Sequence, residues 1–136
     1  MRIQENLEKS KYEADGSIQI QGTTIPYHTI CEDNFFVDEE NNPVASIFSY
    51  AYFRSDIQDN SKRPILFIYN GGPGCASLWL HMGLFGPRIV KLDDELNLPT
   101  VPPFELEDNP HCLLDLCDLV FIDPAGTGLG RLIQEK

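Results

Sequence analysis

The sequence predicts an α/β fold in which an antiparallel β lead-in is followed by two β-loop-α units of an incomplete sheet. Three observations carry this. Ser17-Ile18-Gln19-Ile20-Gln21 alternates polar and apolar residues with the period of a half-buried strand. Two continuous apolar runs, Pro64-Ile65-Leu66-Phe67-Ile68-Tyr69 and Leu119-Val120-Phe121-Ile122, have strand length. Each run ends at a glycine-rich loop, Asn70-Gly71-Gly72-Pro73-Gly74 and Pro124-Ala125-Gly126-Thr127-Gly128-Leu129-Gly130.

The elements follow in order. A polar segment over residues 1–15, frayed or helical, precedes a partial domain over residues 16–136. After the first strand, Gly22 breaks the pattern, and Thr24-Ile25-Pro26-Tyr27-His28-Thr29-Ile30 forms its partner, with Pro26 at an edge or bulge. Residues 38–43 turn the chain into residues 44–53, whose two apolar faces predict cover on both sides. Residues 56–63 are a polar loop, and residues 64–69 read as a central strand. Residues 77–85 have helical potential and stop at Gly86-Pro87. Residues 93–110, rich in Pro and acids, form a long connection; 113–116 form a helical turn, and 118–122 form the second buried strand. If the two apolar strands run parallel, both glycine-rich loops lie on one rim, where sites of open α/β sheets collect.

Composition removes several function classes. The 136 residues are one domain's worth, and with 42% apolar and 23% charged residues the chain is globular. A formal net charge of −11 argues against nucleic acid and against docking on an anionic membrane. No run approaches the roughly 18 apolar residues of a membrane span. The first nine residues are polar and mixed in charge, with no secretory signal, so a genuine start here predicts a cytoplasmic protein. Cys31, Cys75, Cys112 and Cys117 are then reduced, buried small residues whose spacing fits no zinc pattern. No metal and no cofactor is expected.

The 70–74 loop is the sharpest motif. Glycines after a buried strand let the backbone turn sharply and expose N–H groups to a ligand. A glycine-rich loop after an early strand supplies one oxyanion-hole N–H in α/β-hydrolases, aimed at the charge that develops on an attacked carbonyl. A tight turn without a ligand is the plain alternative. A phosphate loop would need Lys followed by Ser or Thr, whereas Cys75-Ala76-Ser77 follows here. Gly126-Thr127-Gly128-Leu129-Gly130 misses the dinucleotide-binding spacing by one position.

Asn70–Ser77 resembles the N-G-G-P-G-C-S-S signature of the serine carboxypeptidase family of the α/β-hydrolase superfamily, with Ala76 in place of its first Ser. Ile25-Pro26-Tyr27, Ala45-Ser46-Ile47-Phe48, Arg63-Pro64, Leu78-Trp79-Leu80-His81-Met82-Gly83 and Gly86-Pro87-Arg88 are similar to a bacterial-type branch. So are Asp108-Asn109-Pro110, Leu113-Leu114-Asp115, Asp118 to Pro124 and Gly126-Thr127-Gly128, so that the resemblance runs from about residue 18 to 131. It implies that Asn70 and the Gly71 backbone bind a peptide's C-terminal carboxylate and that the Gly72 N–H is an oxyanion-hole donor. It also implies that residues 123–128 wall the site and that Cys75 is of the kind disulfide-bonded in secreted relatives. Gly130 stands where relatives commonly have Ser.

The same resemblance exposes a deficit. A serine hydrolase needs a nucleophile, a base and an orienting acid, the nucleophile normally within G-x-S-x-G. None of Ser10, Ser17, Ser46, Ser49, Ser55, Ser61 and Ser77 has that context, and His28, His81 and His111 match no family base. The expected protein is therefore an N-terminal fragment of a serine carboxypeptidase that releases C-terminal residues, inactive alone. A module that binds peptide C-termini, or half of a split hydrolase completed by another polypeptide, is the alternative. Without a neighbour, the 64–69 strand would be an exposed apolar edge open to self-association.

Overall fold

A computed structural model describes residues 8–97 and 100–133. Its main sheet contains β1 (Lys11–Ile20), β2 (Thr23–Val37), β3 (Pro43–Arg54), β4 (Ile65–Ile68), β7 (Asp118–Asp123) and the short β8 (Arg131–Leu132). The order is β1-β2-β3-β7-β4, with β8 beside β3. A two-stranded ribbon of β5 (Arg88–Val90) and β6 (Leu106–Asp108) stands apart from it. The sheet is mixed: β1, β2, β3 and β7 pair antiparallel, and β4 runs parallel to β7.

The lead-in is longer than the apolar pattern suggests. Lys11 to Asp15, read from sequence as frayed or helical, belong to β1 and pair with Glu32 to His28 of β2. Their side chains are exposed, so no apolar period marks them; backbone pairing alone makes them a strand. Ile18 and Ile20 keep the expected alternation and are buried. Pro26 does not sit at a sheet edge. β2 is an interior strand, and Pro26 lies one position outside its ladder with β3, which begins at Tyr27 opposite Arg54. The missing N–H therefore breaks no bond to β3.

One face of the sheet holds the core. Ile18, Ile20, Ile25, Ile68, Leu119 and Phe121 pack with Cys112 and Leu114, and Tyr50, Tyr52, Leu80 and Phe85 close around them. Leu80 lies on α1 (Leu78–Leu80), which continues as a π-helical turn over His81–Phe85; Leu114 lies on a 3-10 turn, Leu113–Asp115. These turns cover the core face. Each fully buried aliphatic or aromatic side chain contributes about 1.5–3 kcal/mol.

The opposite face is less covered, which corrects two sequence readings. β3 is largely half-buried rather than enclosed on both faces, and Val44 is exposed. β4 is not a central strand: it ends the sheet, and Ile65 and Phe67 are 49% and 60% exposed while Ile68 is buried. The end of the long 93–110 connection forms β6, which pairs antiparallel with β5 beside the Arg88–Asp108 and Lys91–Glu105 ion pairs. No described helix is long and apolar enough to cross a membrane.

Candidate functional site

The parallel pairing of β4 with β7 decides where the two glycine-rich loops go. Ile68 lies opposite Phe121, so both strands end at the same edge and release their loops side by side. Gly72 and Gly74 have φ of +86° and +89°, a left-handed backbone that L side chains rarely adopt. A Cβ added at Gly71, Gly72 or Gly74 would meet nothing within 4 Å, so this loop faces open space. Asn70 stands at its base. Its side-chain oxygen is buried and has no hydrogen-bond partner among the described residues. An orphaned acceptor of this kind is costly in an interior and marks a place where a donor is wanted.

Asp123, at the end of β7, ties the two loops together. Its Oδ1 accepts from the Ser77 N–H and from Ser77 Oγ, both at 2.7 Å. Its Oδ2 accepts from the Leu129 N–H at 3.2 Å and from the Tyr50 hydroxyl at 3.1 Å. The carboxylate is 2% exposed. Gly128 passes directly over it, with φ of +50°; a Cβ there would lie 2.1 Å from Oδ2 and 3.0 Å from the Ala76 Cβ. The 123–128 segment thus adjoins the 70–77 loop, as expected of a second wall. Gly130 is equally confined, because a Cβ would come within 2.4 Å of the Pro124 carbonyl oxygen and 2.6 Å of that of Asp123. A serine there would require a different loop path.

Ser77, Asp123 and His81 bring together the three residue types of a hydrolytic triad, but their wiring is wrong for one. Ser77 is 1% exposed, and its hydroxyl donates to Asp123 rather than to a base. His81 is buried, stacks on Phe121 at 4.3 Å between ring centroids, and bonds Tyr52 Oη through Nε2 at 2.7 Å. Burial pushes its pKa down to about 4, against the opposing pull of Asp123. Burial likewise raises the Tyr52 and Tyr50 hydroxyls, the latter with help from Asp123. His81 therefore packs within the fold on the post-loop helical turn. His28 lies in β2 beside Asp15 at 2.8 Å, and the His111 N–H donates to Asn109.

Two further buried carboxylates hold the sheet. Asp118 accepts from Arg63 Nε at 2.7 Å and from the Arg54 N–H at 3.0 Å. Asp33 accepts from Ser46 Oγ at 2.6 Å, from the Ser10 N–H and from Arg131. Burial alone would raise the Asp33 carboxyl, but those hydrogen bonds outweigh it and hold it below the usual range. The sequence reading placed Asp118 and Asp123 only within the stretch that resembles the family, and Asp123 at the start of the 123–128 wall; it gave none of these acids a hydrogen-bonding role. The four cysteines are free thiols, and burial pushes Cys112 up to about 11. Among the described residues no group of three His, Cys, Asp or Glu side chains could hold a metal ion.

Comparison with known proteins points to serine carboxypeptidases. No family model matches the chain. It is 34% identical over 92 residues to the pheromone-processing carboxypeptidase KEX1 of Saccharomyces cerevisiae, a match that covers 67% of the chain and 11% of that protein. It is 32% identical over 88 residues to serine carboxypeptidase-like 36 of Arabidopsis thaliana, covering 64% of the chain and 16% of the relative. A crystal structure of yeast KEX1, a prohormone-processing carboxypeptidase, superposes with a TM-score of 0.54 at 27% identity, over 74% of the chain and 20% of that structure. Over this stretch the chain is a homologue of serine carboxypeptidases. It spans only 11% of the length of the first curated relatives it matches. These relatives are yeast and plant proteins, and they lend no support to a bacterial-type branch.

Proposed function

We propose that this chain carries the substrate-holding half of a serine carboxypeptidase site, built on part of an α/β-hydrolase sheet. The Asn70 side chain and the Gly71 N–H bind the terminal carboxylate of a peptide, and the Gly72 N–H faces the oxygen of the scissile carbonyl. The observation that carries this reading is the 70–74 loop: two left-handed glycines and open space over Gly71 and Gly72, with Asn70, whose amide N–H can donate, at its base. Neutral donors suit this task in a strongly acidic chain, since they recognise a carboxylate by hydrogen bonding rather than by net charge.

Hydrolysis needs more than these groups. One oxyanion donor is worth about 2.7–4 kcal/mol, against at least about 8 kcal/mol of barrier reduction in enzymes. Ser77 is sealed against Asp123 and His81 against Tyr52, so neither supplies the remainder. Residues 1–136 alone are expected to bind a peptide acid without cleaving it, because turnover requires a nucleophile, base and acid that these residues do not supply.

Titration with an N-blocked dipeptide and with its C-terminal amide tests the reading. The free acid is expected to bind saturably and the amide not. Asn70→Ala should weaken acid binding about tenfold, the loss of one hydrogen bond to a charged group. Equal binding of acid and amide would end the carboxylate reading. Amino-acid release that scales with the purified chain would end the claim of inactivity.

A further inference from the structure

We infer that Asp123 is a positioning residue that locks the two glycine-rich loops into one unit, so that Asn70, Gly71 and Gly72 present their donors at a fixed spacing. This deepens the carboxylate-binding reading above and rests on it for its functional meaning. The loop coupling itself stands on geometry alone.

The two oxygens of Asp123 divide the work. Oδ1 takes both donors of Ser77, at the end of the 70–77 loop, and Oδ2 takes the Leu129 N–H of the second loop. The Tyr50 hydroxyl, from β3, bonds Oδ2 and fixes the plane of the carboxylate. A carboxylate that only filled a hole in the sheet would have no need of donors from two separate loops. The absence of a side chain at Gly128 completes the lock, because a Cβ there would strike Oδ2 and press on Ala76, the neighbour of Ser77. Asp123 is 2% exposed and lies in register opposite Phe48 on β3, so its backbone is held by the sheet while its side chain reaches between the loops. The first loop is otherwise open around Gly71, Gly72 and Gly74. Its anchorage therefore lies at its two ends: β4 before Asn70 and Asp123 after Ala76.

Hydrogen–deuterium exchange on the full chain tests the lock without any ligand. Ser77→Ala removes one donor from Oδ1, and it is expected to speed exchange at the Leu129 amide about tenfold, the scale of a weakened hydrogen bond to a charged group. Gly128→Ala, placed in the second loop, should in return speed exchange at the Ser77 amide. Both should leave the amides of Ile18 and Ile25 unchanged. Exchange that changes only in the substituted loop, or rises equally in β1 and β2, overturns the lock. Ser77→Ala is the mild substitution and keeps the test readable if Gly128→Ala does not fold. A second arm titrates both variants with the blocked dipeptide acid, whose binding should weaken about tenfold relative to the unaltered chain. Acid binding by the unaltered chain without reciprocal exchange overturns the lock. Reciprocal exchange without acid binding by the unaltered chain sustains the lock and overturns only the carboxylate reading.

Discussion

β4 and β7 are neighbouring parallel strands of similar apolar sequence, and each feeds a glycine-rich loop, yet their surroundings differ sharply. β7 has β3 on one side and β4 on the other, and Leu119 and Phe121 are fully buried. Among the described residues β4 has β7 alone, and three of its four residues are exposed. Apolarity in a strand thus reports the environment it is built for. Whether that environment is present depends on neighbours, which a strand's own residues do not encode.

The largest test of this contrast is a pair of truncations. Phe121→Ala should cost about 3–5 kcal/mol in urea unfolding, whereas Phe67→Ala, at an exposed edge position, should stay within about 0.5 kcal/mol. Similar costs for the two would mean that β4 is covered in solution. Next is the ion pair that anchors the start of both strands. Arg63 and Asp118 have side chains only 8% and 6% exposed, and Arg63→Ala leaves the carboxylate buried with the Arg54 N–H as its remaining donor. A loss of about 3 kcal/mol is expected; a loss under about 1 kcal/mol would show that the pair is solvated.

A third test uses pH on the covered face. His81 is neutral in the fold down to about pH 4, while in the unfolded chain it titrates at its ordinary 6.5. Above pH 6.5 both states hold it neutral and it contributes no slope. Below 6.5 the unfolded chain takes up the proton first, so stability falls with pH until about 4 and then levels off. The total is on the order of 3 kcal/mol at 1.36 kcal/mol per pH unit. His81→Phe should remove this part of the slope between pH 4 and 6.5; an unchanged slope would place the sensitivity elsewhere. The smallest effect concerns the open edge. We propose that the bare β4 edge promotes self-association, which Phe67→Lys should reduce in sedimentation velocity. An unaltered mass distribution would assign the association to another surface.

Much of the sheet was legible because its signals are local. The alternation at Ile18 and Ile20, the apolar runs of β4 and β7, and the glycines that end them each follow from a few neighbouring residues. The parallel pairing then brought the two loops together as expected. What escaped was made by partners distant in sequence. Lys11 to Asp15 are strand only because β2 is beside them, and the ribbon of β5 and β6 closes through ion pairs across a long connection. The 70–74 loop was readable as a glycine-rich turn with exposed N–H groups, while the roles proposed for Asn70, Gly71 and Gly72 came from the family resemblance. Asp123 was not, because its donors come from residues 50, 77 and 129, which nothing in the linear sequence joins.

Asn109 has a consequence of a different kind. Its buried amide donates to the carbonyls of Leu84 and Gly86, and its N–H donates to that of Pro87. The chain therefore leaves the body of the protein and re-enters it at one point, and the ribbon of β5 and β6 hangs from that knot. Lengthening an already closed loop costs little, about 0.6 kcal/mol for each doubling. This makes the ribbon a natural place for change: a stretch that evolution, or an engineer, can extend, shorten or exchange while the sheet and its rim keep their shape.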